Sequence, residues 1–182
     1  ANGQYGFWWT DENHPASVHD PVIKEFLSRN YADFFREFHK LIDVEIVAYS
    51  STNEPGYADS SPADYSSASK QAFREYLKSR YASIEKVNSE FGLDAVSFDQ
   101  LEPPKGKDEN RALWYVWMTW NQHQWADFFS WIQQAIKKAD PQVKVMHKHP
   151  ALELTATHAA SANLPQLLHG SQDIYGMDVY VW

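Results

Sequence analysis

The sequence predicts an α/β protein, and three observations carry that prediction. Between Asp20-Pro21 and Ile42, apolar residues from Val22 and Phe26 to Tyr31, Phe35 and Leu41 recur at three- and four-residue spacing, which marks one face of a helix. A β-rich run, Val44 to Ser50, follows at once. Residues 143 to 180 then read as strand, helix, strand, an order that builds parallel strands joined by a right-handed crossover.

Each element has a local cause. Asp20 is an N-cap residue and Pro21 suits the first helical position, where its missing N–H costs nothing. The strand from Val44 is expected to end in the turn-forming series Ser51-Thr52-Asn53-Glu54-Pro55-Gly56, leaving Asn53 and Glu54 at its C-terminal end. A Ser/Ala/Asp/Pro-rich stretch over residues 57 to 67 leads into a helix with Ala72, Phe73, Tyr76, Leu77 and Tyr81 on one side. A shorter helical piece with Ile84 and Val87 stops at Phe91-Gly92, and an irregular segment closes in Glu102-Pro103-Pro104-Lys105-Gly106. Residues 57–110 therefore read as a helical excursion on the surface.

From about Asn110 to Ala139 the pattern is again helical and rich in Trp, with Trp114, Trp117, Trp120, Trp125 and Trp131. Pro141 stops it, because proline disfavours helical geometry in the residue before it. These tryptophans are expected to pack the helix on a barrel rather than to bind ligand. Val143 to His147 is the second strand, Ser161 to Leu168 a short helix candidate, and Ile174 to Tyr180 the third strand. With a period of two, Gly176, Asp178, Tyr180 and Trp182 share one face of the third strand, and Met177, Val179 and Val181 the other. Parallel strands need cover on both faces, and no helix follows the last strand, so the chain is expected to be a piece of a larger barrel or sheet.

Composition narrows the function. Among 182 residues, 43% are hydrophobic and 22% charged, which suits a packed core and not a disordered chain, and no apolar run is long enough to span a membrane. Sixteen Lys and Arg against 24 Asp and Glu, without a basic cluster, argue against nucleic acid as a partner. Cysteine is absent, so disulfides, thiolate nucleophiles and thiolate metal sites are excluded together. The excess is aromatic: 8 Trp, 10 Tyr and 10 Phe serve either a large core or stacking platforms for the flat apolar faces of sugar rings. Ala1 to Tyr5 show neither a charged n-region nor an apolar h-region, so no secretory leader is expected and the cellular location stays open.

Thr52-Asn53-Glu54-Pro55-Gly56 resembles the acid/base motif at the end of the fourth strand of (β/α)8 retaining glycoside hydrolases, where an Asn-Glu pair ends that strand. The flanking order is similar to that of glycoside hydrolase family 42, the β-galactosidase-like enzymes. It comprises Asp20-Pro21 with its helix, Ala72 to Tyr81, Ile84 to Gly92, the Trp-rich helix, Asp140-Pro141 and the Asp178-x-Tyr180 strand end. The resemblance implies that residues 1–182 are a partial catalytic barrel, about strands 4 to 6 with their helices. It places the nucleophilic Glu after the seventh strand, beyond this chain. Family members often carry a zinc held by cysteines in the loop corresponding to residues 57–69; without Cys, that zinc is not implied, and no cofactor is expected.

Retaining hydrolysis needs one protonated carboxyl to donate to the leaving oxygen and one carboxylate to attack, roughly 5–5.5 Å apart. Glu54 is the expected acid/base, and Asn53 the donor to the sugar hydroxyl beside the reacting carbon. His147 and His149 are expected as hydroxyl partners, since two ligands do not make a zinc site, where about four are usual. Asp178, Tyr180 and Trp182 are expected sugar contacts at a strand end, and Trp8 and Trp9 an added platform. The expected partner is an oligosaccharide or polysaccharide; the oligomeric state is not legible. Two other readings stand beside this one: a non-catalytic carbohydrate-binding or scaffold protein on the same fold, and a His-ligated metallohydrolase.

Overall fold

In the computed structural model, which describes residues 17–41, 48–53, 63–149 and 169–177, three strands form a parallel sheet in the order β1-β2-β3. These are β1 (Ala48–Asn53), β2 (Lys144–His149) and β3 (Ile174–Met177). Helix α1 (Pro21–Leu41) precedes the sheet. Helices α2 (Ser67–Tyr81), α3 (Ile84–Phe91) and α4 (Arg111–Ala139) lie between β1 and β2, with a 3-10 turn at Phe98–Gln100.

The helix ends obey the local chemistry. Val22 N–H donates to the Asp20 carboxylate at 2.9 Å, so Asp20 caps α1 as expected. Ser66, Ser83 and Asn110 cap α2, α3 and α4 through side-chain oxygens. Asn110 also donates to the Phe91 carbonyl at 2.7 Å, tying the start of α4 to the end of α3. Helix α2 ends on Ala82 at φ 63°, a left-handed conformation that costs a non-glycine residue roughly 1–2 kcal/mol.

Two strand limits differ from expectation. β1 stays extended through Ser51, Thr52 and Asn53, three residues with turn preferences, because β2 pairs along this stretch and tertiary pairing overrides propensity. β2 runs on to His149, two residues further than expected, as it is paired on both sides. The helix candidate at 161–168 and residues 44–47 and 178–180 of the expected strands lie outside the described residues.

The core is one cluster with α4 at its centre. Its second half covers the sheet, with Phe129, Ile132 and Ile136 buried beside Val143, Val145 and His147. Its first half meets α2: Trp117 lies edge-on to Phe73 at 4.7 Å and close to Tyr65 at 5.5 Å, while Trp120 packs on Phe73 at 5.2 Å. The expectation that the whole Trp stripe packs on the barrel is corrected here, because Trp117 and Trp120 are spent on α2. For the same reason the helices of residues 67–91 are fastened to the rest of the molecule; Phe73, Leu77, Val87 and Phe91 belong to the common core. Arg74 donates to the Leu101 carbonyl at 2.8 Å and Tyr65 to the Pro104 carbonyl at 2.7 Å, so the irregular segment is fastened as well.

Helix α1 buries less of its apolar face than its periodicity suggests. Tyr31 and Phe35 are buried, the latter 5.3 Å from Tyr49 of β1, whereas Val22 and Phe26 stay exposed. Lys24 sits over the Trp131 ring at 5.7 Å and joins α1 to α4.

A Cβ on Gly176 would come within 2.9 Å of the Met146 side chain and 3.2 Å of the His147 carbonyl oxygen. The methionine can move, but the backbone oxygen cannot. Gly176→Ala is therefore expected to destabilise the sheet by about 1–3 kcal/mol. Adding Met146→Ala should recover only the part due to the methionine, as measured by urea unfolding of the single and double variants.

Candidate active site

Parallel pairing brings the C-terminal ends of all three strands to one rim. Asn53, the last residue of β1, pairs with Lys148, which pairs in turn with Gly176 on β3. The register is set by a bulge: Ser50 pairs with Met146 and Thr52 with His147, so Ser51 is the extra residue. Unbroken pairing would have put Thr52, not Asn53, opposite Lys148.

The two faces of the sheet differ. Val143, Val145 and His147 are buried on the face that α4 covers, while Met146 and Lys148 alternate to the other face and are half-buried. Met146 lies against Gly176, so Gly176 shares that second face.

His147 is fully buried, and its ring stacks on Phe129 with centroids 4.7 Å apart. Its Nε2 lies 2.9 Å from the Ser171 carbonyl oxygen and its Nδ1 2.5 Å from the Ser51 hydroxyl. A carbonyl oxygen only accepts, so Nε2 carries the proton and Nδ1 accepts from Ser51. The expectation of His147 as a sugar-hydroxyl partner is corrected on this ground, since both ring nitrogens are engaged beneath the helix layer. Sequence pattern alone cannot reveal this, because alternation says which residues share a face but not which face is covered.

Burial pushes the His147 imidazole down to about 4, against a carbonyl acceptor that works the other way. A histidine free in the unfolded chain titrates near 6.5, so below that pH the unfolded state takes up a proton that the folded state refuses. The resulting stability is complete above about pH 6.5 and is lost as pH falls towards about 4, by about 3 kcal/mol in all. Urea midpoints between pH 7 and 4.5 should fall more steeply for the native protein than for His147→Gln. Equal slopes would remove His147 as the cause.

The segment before β3 completes the frame with side chains added to the backbone bond that Asp173 N–H gives the Val145 carbonyl at 2.8 Å. His147 N–H donates to the Gln172 side-chain oxygen at 2.9 Å and Val145 N–H to the Asp173 carboxylate at 2.8 Å. Lys137 of α4 reaches the same carboxylate at 2.8 Å and the Val143 carbonyl at 2.7 Å. Burial works to raise the Asp173 carboxyl, but the bonds from Lys137 and Val145 outweigh it and hold it below the ordinary carboxylate range. Ser51, Gln172 and Asp173 make the bonds that hold this part of the sheet, and sequence reasoning missed them.

Glu54, Asp178, Tyr180, Trp182, Trp8 and Trp9 lie outside the described residues, and for Asn53 and His149 only the strand backbone is described. Among the described residues, no three His, Asp or Glu side chains converge to hold a metal ion, and no helix is long and apolar enough to cross a membrane. A groove of about 460 Å3 between α2 and α4, lined by Tyr76, Arg80, Tyr115 and His123 among others, takes no residue from the strand ends.

The family model described as beta-galactosidase, glycoside hydrolase 42, matches residues 9–177. The fold is that of solved barrel enzymes. A β-galactosidase from the haloarchaeon Halorubrum lacusprofundi superposes with a TM-score of 0.72 at 18% identity, over 97% of this chain and 27% of that one. The catalytic domain of a β-amylase from Paenibacillus polymyxa gives 0.70 at 17% identity, over 91% of this chain and 49% of that one. Among curated relatives, a β-1,2-glucosyltransferase from Ignavibacterium album is 23% identical over 180 residues, covering 90% of this chain and 24% of the relative. The chain thus spans half or less of the length of these relatives, and its three strands and their helices are part of a (β/α)8 barrel. With residues 9–177 matched by that family model, the chain belongs to glycoside hydrolase family 42, the β-galactosidase family.

Proposed function

We propose that this chain supplies the acid/base half of a retaining β-galactosidase-like site, with Glu54 as general acid/base. The observation that supports this reading most is the strand end: Asn53, which precedes Glu54 in the sequence, is the last residue of β1, on the rim where all three parallel strands end. Sites of (β/α)8 barrels are built at that end of the strands. Glu54 gives its proton to the leaving glycosidic oxygen and then takes one from the attacking water. Asn53 donates to the hydroxyl next to the reacting carbon. The nucleophilic carboxylate comes from the end of a later strand, outside these 182 residues, and the cycle needs no cofactor.

Asp178, Tyr180 and Trp182, with His149, Trp8 and Trp9, contact the saccharide in this reading. A (β/α)8 interior that ends in aromatic residues suits the apolar face of galactose, which stacks on a ring while its hydroxyls bond at the edge. A second reading keeps the same residues but passes the glycosyl group to a sugar hydroxyl in place of water. The β-1,2-glucosyltransferase relative, aligned along 90% of the chain, supports it. Glu54→Ala tests the assignment, read with natural and aryl glycosides and with azide as an external nucleophile.

A further inference from the structure

We propose that Ser51 and His147 are positioning residues for the acid/base, setting through the β1 bulge where Asn53 and Glu54 stand; this rests on the assignment of Glu54 to that role. The extra residue of a bulge loses its ladder partner. Here its side chain takes one instead: the Ser51 hydroxyl donates to His147 Nδ1 at 2.5 Å. His147 is itself held from three other directions, by Phe129 of α4, by the Ser171 carbonyl and by the Gln172 side chain on its own N–H. Burial keeps the ring neutral near pH 7, so Nδ1 remains an acceptor. The bulge is therefore anchored to the helix layer and to the segment before β3.

The anchor matters for the two residues just beyond it. Asn53 and Glu54 come two and three positions after Ser51. If the bulge closes into unbroken pairing, Thr52 takes the place opposite Lys148 and the Asn-Glu pair moves on by one residue, about 3.3 Å. A one-residue slip also turns each side chain to the other face of the sheet. Either displacement removes a proton donor from its leaving group, where an error of about 1 Å can cost about a hundredfold.

The test compares Ser51→Thr with Ser51→Val in the full-length enzyme, because the two replacements share a shape and differ in the hydroxyl. Ser51→Thr should stay within about twofold of the native kcat on natural glycosides. Ser51→Val should lose roughly tenfold to a hundredfold in kcat at a nearly constant KM, with a smaller loss on aryl glycosides whose leaving groups need little protonation. The ratio of the two rates does not depend on the fraction of folded enzyme, so partial unfolding cannot imitate the effect. Equal ratios for the Thr and Val variants would overturn the inference. Glu54→Ala measured alongside separates the two assignments: if it shows no leaving-group dependence, the reading of Glu54 fails; if it shows one and Ser51→Val does not, only the positioning role fails.

Discussion

Glu54→Ala is expected to lower hydrolysis of natural glycosides by about 100- to 10,000-fold, the usual contribution of a general acid/base. The loss should depend on the leaving group. A sugar alkoxide leaves poorly without a proton, so glycosylation of the enzyme nearly stops with natural substrates. An acidic phenol leaves without help, so with activated aryl glycosides the first step survives and the second, which lacks its base, becomes limiting. A covalent glycosyl-enzyme should then accumulate, detectable by mass spectrometry as an added sugar. Azide needs no base and should restore turnover, yielding a glycosyl azide of retained configuration. Near-normal activity on natural glycosides, or an azide product of inverted configuration, would mean that Glu54 has another role.

The largest effect on stability is expected from Trp117→Ala. Trp117 is 0% exposed and lies where α4 meets α2, against Phe73, Tyr65 and Trp120. Its removal leaves a void among aromatic rings that cannot collapse without moving two helices, and such truncations cost about 3–5 kcal/mol. Trp117→Phe keeps most of the contact and should cost clearly less. Both are read from chemical denaturation midpoints. Trp114→Ala, further out on the same helix, provides the comparison, since it lies at the margin of the core. A Trp117→Ala protein as stable as Trp114→Ala would contradict the position assigned to α2.

Much of this is legible in the residues. Helix α1 is readable because Asp20-Pro21 and a three-to-four periodicity act within one turn of the chain, and α4 because Asn110 and Pro141 bound a long apolar stripe. The chemistry proposed for the rim is readable only through the Asn53-Glu54 pair and the order of its neighbours. The strand ends are less legible: Ser51-Thr52-Asn53 has turn preference, but a paired neighbour strand supplies ladder bonds that outweigh it.

By itself the sequence determined the α/β class, the approximate helix limits and, through its resemblance to a known family, the order of the three strands and the candidate acid/base pair. Class and limits come from periodicity, capping and spacing, which are properties of neighbours along the chain. Only the tertiary structure decided that His147 faces α4 and not the open side of the sheet, that Ser51 forms a bulge, and that Trp117 packs on α2. These depend on which face another element covers, and residues almost a hundred positions apart, such as Ser51 and His147, settle it together. Periodicity says that a strand has two faces; only packing says which one is buried.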